Sequence, residues 1–233
     1  MGPDKLQMLF GDGGKIFQHF TGCIDIIGHD CYVEQSGALN EHISDVFGIM
    51  VKQHIDNETA DQSDWLIGEG CLLPSIKGLA ARSTKSPGTA FDIPQFGKDG
   101  QVGHMKMLYE KTYGDNGGVH IFSGIPNKAF YLAALGFGGH SWEKAGQMWW
   151  KAMTCKRVPP GCTFDRFADI TVDFAREEFG ETAAKIVRKA WIDVGDAERL
   201  EARALRCLVK HWETPETKPV AMSLCLKISS DVH

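Results

Sequence analysis

GALNEHISDVFG, residues 37–48, places Leu39, Ile43 and Phe47 four apart, and Met50 follows three residues later. That spacing lines them along one stripe of an α-helix, the mark of a helix with a buried face. Ser36-Gly37 and Asn40 are start signals in front of it. The same stretch carries Glu41 and Asp45, four apart and so on one helix face. Just upstream, Ile24-Asp25-Ile26-Ile27-Gly28-His29-Asp30 ends a short apolar run on an imidazole. A carboxylate near a histidine, with a second carboxylate to orient that histidine, is the pattern of a zinc site. Read as bare residues, Glu41 and Asp45 also suit a solvated helix edge, and His29 suits a core histidine.

A second cluster, Asp115-Asn116-Gly117-Gly118-Val119-His120, sets an acid and an imidazole on either side of a glycine pair. Such a pair can donate to a developing oxyanion, and it can equally cap a turn. Between the clusters, residues 56–118 are rich in Gly, Pro, Asp and Asn, and read as a long irregular region. From Pro126 onward the periodicity is helical: Asn127–Leu135, Trp142–Met153, Thr163 or Asp165 to Phe179, and Thr182–Val194. Gly180 and Gly195 are the stops. Asp196–Trp212 is helix-like but highly charged, and Pro215 and Pro219 mark a loose tail. Residues 1–22 read as loop around Gly11-Asp12-Gly13-Gly14.

Composition narrows the classes. The chain has 233 residues, 43% hydrophobic and 24% charged, as globular domains do. A net charge of −5 with no basic cluster disfavours nucleic-acid and anionic-membrane binding. No apolar run reaches the roughly 18 residues of a spanning helix. Seven cysteines, at 23, 31, 71, 155, 162, 207 and 225, form no CxxC pair. Cys155 and Cys162 are close enough for a loop bridge, against the default of buried or free thiols.

The stretches 37–48 and 115–134 (DNGGVHIFSGIPNKAFYLAA) resemble the two signatures of the thermolysin-type zinc metallopeptidases. DWLIGEG at 64–70, AARSTKSPGTAFDIPQFGKDGQ at 80–101 and WEKAGQMWW at 142–150 resemble the protealysin-like branch. The match runs from about Phe10 to Gly195. It implies a mainly α fold, the C-terminal helical lobe of a thermolysin-like (gluzincin) metallopeptidase with a remnant of the preceding α+β/β lobe. Residues 1–22 would be that remnant and the cleft floor, 23–195 the helical peptidase domain, and 196–233 an unmatched extension.

The resemblance implies a zinc metalloendopeptidase, in which an HExxH helix gives two ligands and a base, and a Glu about 20 residues on gives the third. By position, His29 matches the first zinc histidine and Asp30 the catalytic Glu. Glu41 matches the third ligand, and Asp45 the carboxylate orienting the first. Tyr32 and His120 match the groups that stabilise the tetrahedral intermediate, with Asp115 holding His120. Arg82 matches the arginine on the substrate carbonyl. Phe17, Phe20 and Ile26 would line the pocket for an apolar residue after the scissile bond. Asp25, Asp64 and Glu69 match calcium carboxylates, whereas Lys52 and Leu66 stand where double-calcium members carry acids, so one calcium at most is expected.

The pattern is broken at the centre. Cys31-Tyr32 follow Asp30 directly, so about a dozen residues, roughly three helical turns, are missing with the second zinc histidine. Asp30 is a methylene short of Glu, where about 1 Å of misplacement costs a hundredfold. His42, His54, His104 and His140 read as core or solvent-facing rather than as replacement ligands, and Met148, Trp149 and Trp150 as core. Three readings follow: an active zinc endopeptidase acting on peptides or proteins, an inactive relative serving as a binding module, or a truncated or mis-spliced product. Protealysin-like relatives often lack a secretion signal and free thiols suit a reducing compartment, so a cytoplasmic location is expected.

Overall fold

The computed structural model describes residues 32–69, 80–94, 97–109 and 114–196. Two compact units divide the chain, Met1–Gly195 and Asp196–His233, and the described residues lie in the first apart from Asp196.

Among the described residues six α-helices carry the architecture. They are α1 (Glu34–Asp56), α2 (Asp115–Phe122), α3 (Gly124–Phe137), α4 (Lys144–Thr154), α5 (Phe164–Phe179) and α6 (Glu181–Trp191), the last running into a π-helical turn over Ile192–Asp196. Between α1 and α2 lie two small antiparallel ladders and a 3-10 turn, Met105–Tyr109. Strand β1 (Leu66–Ile67) pairs with β2 (Arg82–Ser83), and β3 (Asp92–Ile93) with β4 (Gly97–Lys98). The described part of the region expected to be irregular is therefore mostly loop with two-residue strands.

Helix α1 is long because nothing interrupts its apolar stripe. Leu39, Ile43, Val46, Ile49 and Met50 are buried, and Asn57 ends the helix in a left-handed conformation with its N–H on Gln53 and His54 carbonyls. Helices α2, α3 and β1 pack against α1, while α6 packs on both α3 and α5. Aromatic rings link these layers edge to face: Trp65 to Phe130, Phe130 to Trp149, Trp149 to Phe167 and Phe167 to Trp191, at centroid spacings of 5.2–6.4 Å. Each such pair adds about 1 kcal/mol beyond burial.

Two departures from the sequence reading have local causes. Helix α2 carries a left-handed turn over Asp115–Gly118 where the glycines suggested a loop and is helical after it, and α3 begins at Gly124 with Pro126 in its first turn, the one turn that tolerates proline. Trp150, expected in the core, is 42% exposed and lies edge-on to Phe47, whereas Met148 and Trp149 are fully buried. Cys155 and Cys162 are free thiols, and burial pushes the Cys162 thiol up to about 12.

Candidate active site

The site is assembled where α1 and α2 touch. A Cβ on Gly37 would lie 2.5 Å from Val119 Cγ1, so only glycine lets the helices approach this closely. One turn after Gly37 stands Glu41, and one residue after Val119 stands His120. Close packing thus brings Glu41 Oε2 to 3.4 Å from His120 Nε2. The other oxygen of Glu41 accepts a hydrogen bond from the Tyr32 hydroxyl. Burial, and then the adjacent Glu41 carboxylate, push the Tyr32 phenol well above its ordinary value, so it remains a donor.

His120 is held from behind. Its ring Nδ1–H donates to Asp115 Oδ1 at 2.5 Å, and its backbone N–H donates to Asp115 Oδ2 at 2.9 Å. The acid can reach back because the chain turns left-handed, with φ of 50° at Asp115, 48° at Asn116, 84° at Gly117 and 86° at Gly118. For the two non-glycine residues that conformation costs on the order of 1 kcal/mol each, strain kept at a functional turn. The imidazole is half exposed, so its edge is presented to solvent between two carboxylates.

The second wall is polar and buried. Asp45, fully buried on α1, accepts from Arg82 Nη2 at 2.9 Å and Nε at 3.2 Å, and Asn127 Nδ2 donates to its other oxygen at 2.8 Å. Burial raises the Asp45 carboxyl while Arg82 and Asn127 act against that rise. Arg82 reaches it from β2, itself pinned to β1. Behind Asn127 lies His42, its Nδ1 2.7 Å from Asn127 Oδ1, and behind His42 lies Trp149, whose indole N–H donates to His42 Nε2 at 2.8 Å. Sequence reading passed over Asn127, His42 and Trp149 as parts of the site. The available signal was an amide and an imidazole set among apolar neighbours on helices otherwise built for the core.

Six expected residues, Phe17, Phe20, Asp25, Ile26, His29 and Asp30, lie outside the described residues. Of the two expected zinc ligands, His29 and Glu41, only Glu41 is described, and its two oxygens face Tyr32 and His120. Among the described residues no group of three His, Cys, Asp or Glu side chains is placed to hold a metal, whereas catalytic zinc takes three protein ligands. The described donors thus do not make a zinc site by themselves. Nor do the described calcium residues, Asp64 and Glu69, fit. Lys52 Nζ lies 2.8 Å from both oxygens of Asp64 and from Glu69 Oε2, so an ammonium already sits among the carboxylate oxygens expected to take the ion.

The sequence profile of the family described as thermolysin metallopeptidase, alpha-helical domain, matches residues 31–195. The chain belongs to that family. Tyr32, Glu41, Asp45, Arg82, Asp115 and His120 all lie inside the match, and His29 and Asp30 lie just before it. An extracellular metalloprotease of Pectobacterium carotovorum is 48% identical over 208 residues, covering 84% of this chain and 60% of the relative. Thermolysin of Alicyclobacillus acidocaldarius is 34% identical, covering 81% of this chain and 36% of the relative. Among solved structures, the precursor of protealysin, a metalloproteinase from Serratia proteamaculans, superposes with a TM-score of 0.68 at 51% identity. That match covers 70% of this chain and 51% of the other. The chain thus spans about half the length of the thermolysin-family relatives it matches, and the mainly helical architecture is that of the family's alpha-helical domain.

Proposed function

We propose that the chain is the carbonyl-binding part of a zinc metalloendopeptidase and that its own hydrolysis is strongly impaired. The relatives named above support peptide-bond hydrolysis as the reaction of the family. The observation that carries the reading is the convergence of Glu41, Tyr32 and the His120–Asp115 pair at the contact of α1 and α2, with Arg82 held beside them by Asp45.

In this reading each side chain does what its donors allow. Arg82, fixed by Asp45, donates to the carbonyl of a bound peptide. His120 and Tyr32 offer N–H and O–H to the oxygen on which charge develops, and Asp115 holds the His120 ring in place. Peptide or protein substrates with an apolar residue after the scissile bond are the class these groups serve. Impairment follows from the sequence next to the site: Asp30 replaces the base, and the second zinc histidine is missing.

The test is hydrolysis of an internally quenched peptide with Leu or Phe after the scissile bond, using the full chain in zinc-containing buffer. The expected rate is about a thousandfold below that of the Pectobacterium metalloprotease, the order of magnitude of a displaced general base. A rate equal to that enzyme's would contradict the impairment. Cleavage unchanged in His120→Ala would contradict the assignment of the site.

A further inference from the structure

Five side chains from four elements form one hydrogen-bonded line through the interior: Trp149 on α4, His42 on α1, Asn127 on α3, Asp45 on α1 and Arg82 on β2. The contacts along it measure 2.8, 2.7, 2.8 and 2.9 Å, and every member except Arg82 is essentially inaccessible to solvent. The polarity of this line can be assigned from one end. An indole N–H can only donate, so His42 Nε2 must be the unprotonated, accepting nitrogen. A ring whose Nε2 accepts from an indole carries a proton on its other nitrogen alone, so His42 is neutral. Its single ring proton is therefore on Nδ1 and is donated to Asn127 Oδ1. The Asn127 amide is thereby turned so that Nδ2 meets Asp45 Oδ2. Asp45 is left with Oδ1 for the guanidinium. The opposite tautomer would set two buried donors head to head at Trp149 and leave Asn127 turned the wrong way.

We propose that His42, fixed as the Nδ1–H tautomer by Trp149, is the positioning residue that sets Arg82. It acts through Asn127 and Asp45, touches no substrate, and lies directly beside Glu41 in sequence while its ring faces the opposite side, against Phe167. The functional meaning of this placement rests on the reading of Arg82 as the donor to a peptide carbonyl.

The experiment is side-chain nitrogen NMR on the full chain, with His42→Leu, His42→Gln and Trp149→Phe as variants. In the unmodified chain, His42 should show a protonated Nδ1 and an unprotonated Nε2. Exchange of the Arg82 Nε–H with water should accelerate about tenfold in His42→Leu and in Trp149→Phe, the loss of roughly one hydrogen bond. His42→Gln, whose amide can accept from Trp149 and donate to Asn127, should restore slow exchange. An Nε2–H tautomer, or Arg82 exchange unchanged in both Trp149→Phe and a folded His42→Leu, would overturn the proposal. A chain that follows this pattern but whose residual cleavage is unchanged in Arg82→Ala keeps the positioning role and loses the reading of Arg82 as the carbonyl donor. A chain whose cleavage depends on Arg82 while its exchange ignores His42 and Trp149 loses the positioning role alone.

Discussion

Lys52 places its ammonium 2.8 Å from each carboxylate oxygen of Asp64, tying the last turns of α1 to the start of β1. Glu69 adds a third oxygen at the same distance. A compact, hydrated point charge with three donors is a fair replacement for a divalent ion among three carboxylate oxygens. The melting temperature of the chain should therefore be the same in millimolar calcium as in the calcium-selective chelator EGTA. Lys52→Ala should lower stability by about 1 kcal/mol or less, since all three groups are about a third exposed. Lys52→Glu should make melting calcium-dependent. A several-degree calcium effect on the unmodified chain would contradict this account of the cage.

Gly37 and Val119 define the spacing that brings Glu41 to His120. Gly37→Ala adds a carbon 2.5 Å from a branched, fully buried side chain, so the helices must part. The expected cost is about 1–3 kcal/mol in urea unfolding, despite alanine's better helix propensity. Val119→Ala in the same chain should recover about half or more of that loss, a coupling typical of residues in contact. Purely additive losses would show that the two helices are spaced by something else.

His42 gives stability a pH dependence with a defined sign. Its folded pKa of about 4 lies below the ordinary histidine value, so in acid the unfolded chain takes up the proton first. The stabilisation is complete above about pH 6.5 and drains away as pH falls toward about 4, reaching roughly 3 kcal/mol. Asp45, whose carboxyl is raised by burial, works in the opposite direction. The difference between the unmodified chain and His42→Gln, measured as urea midpoints at several pH values, isolates the histidine. Parallel midpoints in the two proteins would contradict a neutral buried ring.

What could be read from the sequence follows local physics. The Leu39–Ile43–Met50 stripe, the stop at Gly180 and the helical periods after Pro126 depend on neighbours three or four residues away, and the helices form there. Glu41, Asp45, Arg82, Asp115, Tyr32 and His120 came from resemblance to a family, since spacing alone left an acidic helix edge as good a reading. Helix α2 was missed because Asp115–Gly118 winds left-handed before the helix proper, and such a run looks like a turn. The line from Trp149 to Arg82 was invisible for a different reason: its hydrogen bonds join residues 107, 85 and 82 positions apart, and no periodicity reports that. Trp150 was misplaced because a lone tryptophan beside a buried one shares its hydrophobicity but not its helix face.

The central claim is that carbonyl-binding groups persist here beside an incomplete metal set, and zinc stoichiometry tests it most directly. The purified chain, loaded with zinc and passed through a desalting column, should retain well under one zinc per chain, with no further loss in His29→Ala or Glu41→Ala. One zinc per chain, abolished by both substitutions, would show a completed site and would contradict the impairment proposed here.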